Sequence, residues 1–182
     1  MKVERTALEG VLVLEPRVFE DARGWFYESW NRRAFREATG IEADFVQDNH
    51  SRSAKNVLRG LHYQVKHPQG KLVRITTGAA YDVAVDLRRS SRNFGRAVGV
   101  QLDARSRRML WIPAGFAHGF LALSDGTEMN YKATDYYAPQ HERTLLWSDP
   151  ALGISWPLQG AEPLLADKDR LGVALAVAET FD

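Results

Sequence analysis

Two neighbouring runs set charged residues among apolar ones: Val57-Leu58-Arg59-Gly60-Leu61-His62-Tyr63-Gln64 and, after a short break, Gln69-Gly70-Lys71-Leu72-Val73. A histidine moves protons near neutral pH, a lysine stabilises a developing negative charge, and an arginine holds phosphate. Together Arg59, His62 and Lys71 suit proton chemistry on a phosphorylated carbonyl compound. Gly60 removes a side chain beside the histidine, so a ligand or a second backbone can come close.

A histidine base needs a carboxylate to fix its tautomer and stabilise its cation. Asp82, Asp86 and Asp169 are all available, and spacing does not choose among them. Tyr131, in mid-strand between Asn130 and Lys132, offers a phenol able to return a proton from the opposite side of a substrate; from these residues alone, a barrel tyrosine with its hydroxyl in water is the more common reading. Lys71 at a barrel mouth can hydrogen-bond an enolate oxygen; the alternative is one solvated lysine among several charges. His118 lies between Ala117 and Gly119, which leave room for a ligand; a satisfied core histidine is an equal reading. The chain has neither G-x-G-x-x-G nor a Walker loop, so phosphate falls to side chains such as Arg23 beside Gly24 and Arg59 beside Gly60. A metal is not expected. His62 is followed by Tyr63 and Gln64 rather than a second histidine, and His50, His67, His118 and His141 have no paired spacing, whereas a catalytic metal usually takes three protein ligands.

The elements that would carry these residues are mostly short strands: Val11–Leu14, Trp25–Trp30, Phe45–His50, Val57–Gln64, Tyr81–Leu87, Val98–Leu102, Met109–Ile112, Phe116–Leu121 and Met129–Thr134. Asp21-Ala22-Arg23-Gly24 is a turn, Ser51–Asn56 a mobile basic loop, Arg88–Gly95 a basic turn and Ser124-Asp125-Gly126 a hairpin-type turn. One helix stands out, capped by Asn31, running through Phe35 and closed by Gly40. Asp167 is placed to cap a second, short one. Many strands with one clear helix predict an antiparallel sandwich or barrel in one domain, residues 1–182. Alternation puts Leu58, Gly60, His62 and Gln64 on one face and Arg59 on the other; a bulge near Gly60, or a rim position for Arg59, would reconcile them.

The chain's 182 residues carry a net charge of +1 and no cysteine. That removes disulfides, thiolate nucleophiles and cysteine metal sites. It also gives no global electrostatic case for nucleic acid or membrane binding. No window reaches the roughly 20 apolar residues of a membrane span, and the start lacks a signal-peptide core. A soluble cytoplasmic protein is expected.

Five motifs in order carry a resemblance. They are Arg59–Gln64, Gln69–Val73, Pro113–Phe120, Tyr131–Pro139 and Ala166–Asp169. Together they resemble the dTDP-4-dehydrorhamnose 3,5-epimerases over nearly the whole chain. The resemblance implies an all-β, cupin-type double-stranded β-helix, a jelly-roll barrel with a few short helices. It implies inversion of carbons 3 and 5 of dTDP-4-dehydro-6-deoxy-D-glucose in dTDP-L-rhamnose synthesis, with no cofactor and no metal. A single-carbon epimerase of another deoxysugar pathway is the alternative, and the polar Asn130 before the phenol bears on that choice. Carried over position by position, His62 is the proton acceptor, Asp169 orients it, Lys71 stabilises the enolate and Tyr131 is the proton donor. His118 contacts the sugar. Arg23, Glu28, Gln47, Asp48, Asn49 and Arg59 hold the nucleotide and its diphosphate, while Glu142 and Lys168 make further substrate contacts. Phe19 and Tyr137 pack on the thymine ring. The resemblance also implies a homodimer with strands exchanged between subunits. The tail beyond Asp169 carries no readable motif.

Overall fold

The computed structural model describes residues 1–182. Its strands and helices run β1 (Lys2–Arg5), β2 (Leu12–Glu15), β3 (Phe19–Asp21), β4 (Gly24–Phe26), α1 (Arg32–Thr39), β5 (Gln47–Ser53), β6 (Leu58–Gln64), β7 (Lys71–Thr77), β8 (Ala79–Asp86), β9 (Ala97–Asp103), β10 (Met109–Ile112), β11 (Phe116–Ala122), β12 (Thr127–Ala133), β13 (Glu142–Thr144) and α2 (Asp167–Arg170). One antiparallel sheet has the order β1-β2-β10-β7-β12-β5 and the other β13-β6-β11-β8-β9; β3 and β4 form a separate hairpin. From β5 to β12 only the β8–β9 connection stays within a sheet. Every other link crosses, which folds the chain into an all-β jelly-roll barrel of cupin type.

Alternation along the strands fills three apolar layers. Val13, Val73, Ile75, Ala84, Leu110, Phe116, Phe120 and Met129 pack between the sheets. The outer face of the first sheet buries Leu14, Leu72, Met109 and Trp111 against Phe35. Helix α1 supplies that phenylalanine, and its ends form as the sequence requires. Asn31 accepts a hydrogen bond from the Ala34 amide, and Gly40 takes the left-handed conformation that closes the helix. Trp30 and Phe45 stack edgewise at 4.6 Å beside it. The outer face of the second sheet, with Leu61, Val83, Val85, Leu87 and Leu145, is covered by Leu152 and Ala178. The unreadable tail is therefore a lid on the barrel wall. Its Phe181 amide donates to the Leu87 carbonyl at 3.0 Å.

Several expectations are corrected. The aromatic run is a strand only to Phe26, where its pairing with Phe19 ends. Beyond that, Glu28 accepts from the Asn31 side chain at 2.9 Å and the chain turns into α1. Strand β5 begins at Gln47 and absorbs Ser51–Ser53, placed above in a loop, because those residues pair with Thr127–Met129. The Ser124–Gly126 turn joins strands of different sheets and is no hairpin. Ala166, not Asp167, occupies the cap of α2, and Asp167 is its first helical residue. Asn130 faces away from the phenol: it accepts from Thr76 Oγ1 at 3.0 Å on the outer side of the sheet.

Candidate active site

Both sheets contribute to one cavity of about 320 Å³ at the barrel mouth, within the usual size for small-ligand sites. His62 and Arg59 come from β6, Lys71 from β7, His118 from β11 and Tyr131 from β12, while Lys168 and Asp169 come from α2. That Arg59 joins His62 is the work of a bulge. His118 stands opposite His62 and Phe120 opposite Arg59, with a register shift between them. The extra β6 residue reverses the parity, so Arg59 faces the cavity and Leu58 does not. The guanidinium sits at the open edge, where it donates to Ser53 Oγ at 3.1 Å.

Of the three carboxylates open to His62, Asp169 is its partner, with Oδ1 2.6 Å from Nε2. Asp169 is almost wholly buried. Burial pushes its pKa up, but the His62 hydrogen bond and charge, the Gly60 amide and Lys168 outweigh it and hold the group below the usual carboxylate range. An ionised Asp169 accepts, so Nε2 carries the proton and Nδ1 is left as the basic nitrogen. Asp82 instead faces His118, whose Nε2 lies 3.0 and 3.1 Å from its two carboxylate oxygens. Asp86 is tied to Arg88 at 2.7 Å.

Lys71 is buried, and burial lowers its pKa to about 8, with Glu142 and Asp82 pulling it partly back and Lys168 adding to the fall. Its Nζ lies 6.0 Å from the centre of the Tyr131 ring, and the His118 ring lies 6.5 Å from it. Tyr131 is raised above the ordinary phenol, first by burial and then by Glu142 and Tyr137, against a smaller opposing pull from Arg59. It is thus a protonated hydroxyl at neutral pH. A base with a fixed tautomer, a buried cation and a phenolic acid border one space. That set can remove a proton beside a carbonyl, hold the resulting oxyanion and return a proton.

The model of the dTDP-4-dehydrorhamnose 3,5-epimerase family matches residues 5–176. The chain belongs to this family. It is 60% identical over 181 residues to the dTDP-4-dehydrorhamnose 3,5-epimerase of Pseudomonas aeruginosa, covering 100% of this chain and 99% of the relative. Among solved structures, it matches a dTDP-6-deoxy-D-glucose-3,5-epimerase from Legionella pneumophila in complex with dTDP-4-keto-L-rhamnose, with a TM-score of 0.95 and 46% identity over 98% of this chain and 94% of the other. It also matches a 3'-monoepimerase from Streptomyces bikiniensis in complex with dTDP-quinovose, with a TM-score of 0.88 and 36% identity over 94% and 86% of the two chains.

In this member of the epimerase family the remaining residues named from sequence divide into two groups. Gln47, Asn49, Tyr137 and Glu142 line the cavity. Gln47 donates to Asn49 at 2.9 Å. Glu142 accepts from Lys168 at 3.1 Å and from the Tyr137 hydroxyl at 3.3 Å, binding β13, α2 and the loop after β12 together. Phe19, Arg23, Glu28 and Asp48 are not brought to this cavity. Asp48 alternates to the outer side of β5 and pairs with Lys132 at 2.9 Å. Arg23 pairs with Asp21 at 2.6 Å in the turn of the β3–β4 hairpin, where Phe19 is also exposed. Sequence reasoning missed Gln64 and Gln69 in the wall. Gln64 accepts from the Ala138 amide at 2.8 Å and Gln69 donates to the Asp135 carbonyl at 2.8 Å, which fixes the loop that carries Tyr137. Their signal was present in part, since Gln64 is two residues beyond His62 on the same face.

No group of three or more histidine, aspartate or glutamate side chains is arranged to hold a metal ion. No helix is long and apolar enough to cross a membrane.

Proposed function

We propose that the chain inverts carbons 3 and 5 of dTDP-4-dehydro-6-deoxy-D-glucose, giving dTDP-4-dehydro-L-rhamnose. The observation that carries this reading is the common cavity of His62, held by Asp169, with Lys71 and Tyr131. The ketone at carbon 4 acidifies the hydrogens on both neighbouring carbons. His62 Nδ1 takes one of them as a proton, and the C–H electron pair moves to the carbonyl oxygen as an enolate. Lys71 balances that negative charge. Collapse of the enolate takes a proton from Tyr131 on the opposite face, which inverts the centre. Substrate and product are isomers, so the chemistry calls for no net oxidant or reductant.

Arg59, Gln47 and Asn49 are assigned to the nucleotide diphosphate, with Lys168, Glu142 and His118 on the sugar side and Tyr137 against the thymine. The whole chain acts as one domain, in the cytoplasm. Phe19, Arg23 and Glu28 are assigned to the cavity of a second copy: the β3–β4 hairpin exposes Phe19, Trp25 and Phe26, an apolar set suited to an exchanged arm in a homodimer. Sedimentation should give twice the chain mass, and a monomer at assay concentration would remove the arm's role. Asp48 keeps only an indirect place, through the strand it shares with Gln47 and Asn49.

The deciding experiment is incubation with the 4-keto nucleotide sugar in heavy water, followed by proton NMR. Deuterium is expected at carbons 3 and 5. Label at one carbon alone would favour the single-carbon reading, which the likeness to the Streptomyces bikiniensis monoepimerase keeps open. In the same assay Tyr131→Phe should lower product formation by roughly 10² while exchange at the abstraction step persists. Unchanged product yield would assign reprotonation to water.

A further inference from the structure

Gly60 on β6 and Gly119 on β11 face each other at the bulge. Between the His62–His118 and Arg59–Phe120 pairs, β6 places two residues, Gly60 and Leu61, against the single Gly119. A Cβ on Gly119 would fall 2.6 Å from the Arg59 carbonyl oxygen and 3.1 Å from Gly60 Cα. A Cβ on Gly60 would fall 2.5 Å from Gly119 Cα and 2.8 Å from the His118 carbonyl oxygen. These are mostly backbone atoms, which cannot give way as the end of a flexible side chain can. Gly60 also needs its φ of +119°, whereas Gly119 is not among the glycines with positive φ. What Gly119 supplies is therefore close approach rather than an unusual torsion.

The approach has consequences on both faces of the sheet. It sets Arg59 on the same wall as His62. It also turns the Gly60 amide toward Asp169: Gly60 N–H donates to Asp169 Oδ1 at 3.2 Å, the same oxygen that lies 2.6 Å from His62 Nε2. One carboxylate oxygen is thus held by the base and by the backbone two residues before it. On the far side Leu61 is fully buried, and its carbonyl accepts from the Leu145 amide at 2.9 Å, so the bulge cannot relax outward without opening that layer.

We infer that Gly119 is a positioning residue for the reaction: by letting β6 bulge at Gly60 it aims the Gly60 amide at Asp169, and so sets His62 and Arg59 on one wall of the cavity. The inference rests on the reading of His62 as the base. It ties proton transfer to nucleotide binding through a residue whose missing side chain is its contribution.

Gly119→Ala tests it. Deuterium exchange should slow by up to about 10²-fold, as for a reacting group displaced by about 1 Å. Affinity for dTDP, measured by calorimetry, should weaken with it by about tenfold, as for one lost hydrogen bond to a charged group. Nitrogen-15 NMR should show the His62 ring no longer held with its proton on Nε2. A purely structural role would lower the melting temperature and leave dTDP affinity and the ring tautomer as in the native protein, and that result would overturn the inference. If Gly119→Ala does not fold, the Gly60 amide in Asp169→Ala decides. Its resonance should shift upfield and its hydrogen-exchange protection should drop, whereas an unmoved, protected amide would overturn the inference. Loss of the His62 reading would look different, because exchange would then survive His62→Ala while the affinity and NMR results still judged the bulge.

Discussion

Replacing His62 by alanine is expected to lower deuterium incorporation at both carbons by about 10³–10⁴, the upper part of the range for removal of a general base. The size of the effect follows from the surroundings. Asp169 holds Nε2 at 2.6 Å, so the ring presents one nitrogen in one orientation, and alanine leaves nothing at that point able to accept the proton. Binding should be spared, because Arg59 and Lys168 belong to the same cavity but not to the dyad. Calorimetry with dTDP should therefore return near-native affinity while exchange is lost. Exchange at the native rate would assign the base elsewhere. His118 would be the first group to examine, as it stands directly across from His62 and carries its own carboxylate, Asp82.

Lys71→Met is expected to act in opposite directions on rate and on stability. Loss of the cation beside the enolate should cost about 3 kcal/mol of barrier, or a rate loss of 10²–10³, by comparison with oxyanion donors. An effect on substrate affinity alone would instead assign Lys71 to ground-state binding. Stability should rise at neutral pH. Burial lowers Lys71 from 10.5 to about 8, so its charged form is disfavoured in the folded state by roughly 3 kcal/mol. That penalty is complete below pH about 8. It fades between about 8 and 10.5, where the unfolded chain holds the extra proton and stability therefore climbs with pH. Met removes the penalty, and thermal melts at pH 7 should show an increase. Turnover of the native enzyme should fall as pH passes about 8, because Lys71 then loses the charge it uses. A rate that held level to pH 10 would show that the enolate does not depend on this cation.

The chemistry-bearing types were readable because short-range rules govern them. Asn31 and Gly40 bound α1 through the hydrogen bonds and torsion of their own neighbours. Lys71, Val73 and Ile75 share a face because a strand alternates. The motifs carried the family as well, and with it His62, Lys71 and Tyr131. The errors fell where one strand's course depends on another. Ser51–Ser53 have the composition of a loop and become strand through Thr127–Met129. Asn130 is adjacent to Tyr131 along the chain and on the opposite face of the sheet. The aromatic residues after Gly24 have strand propensity, but only Gly24–Phe26 find a partner to pair with.

By itself, the sequence determined which groups were available for proton transfer, the ends of the helix, and the alternation that lines a barrel. Spacing left three aspartates of the same chemistry open to His62, and the motif resemblance named Asp169. The tertiary structure brings the two together across 107 residues, and it alone decided that Asp82 goes to His118 and Asp86 to Arg88. It also decided that Arg59 turns inward, through a bulge that exists because two glycine backbones meet. The physical reason is range: torsional preference and alternation act over a few residues, whereas the pairing of carboxylates and the register of strands are set by contacts between segments far apart in the chain.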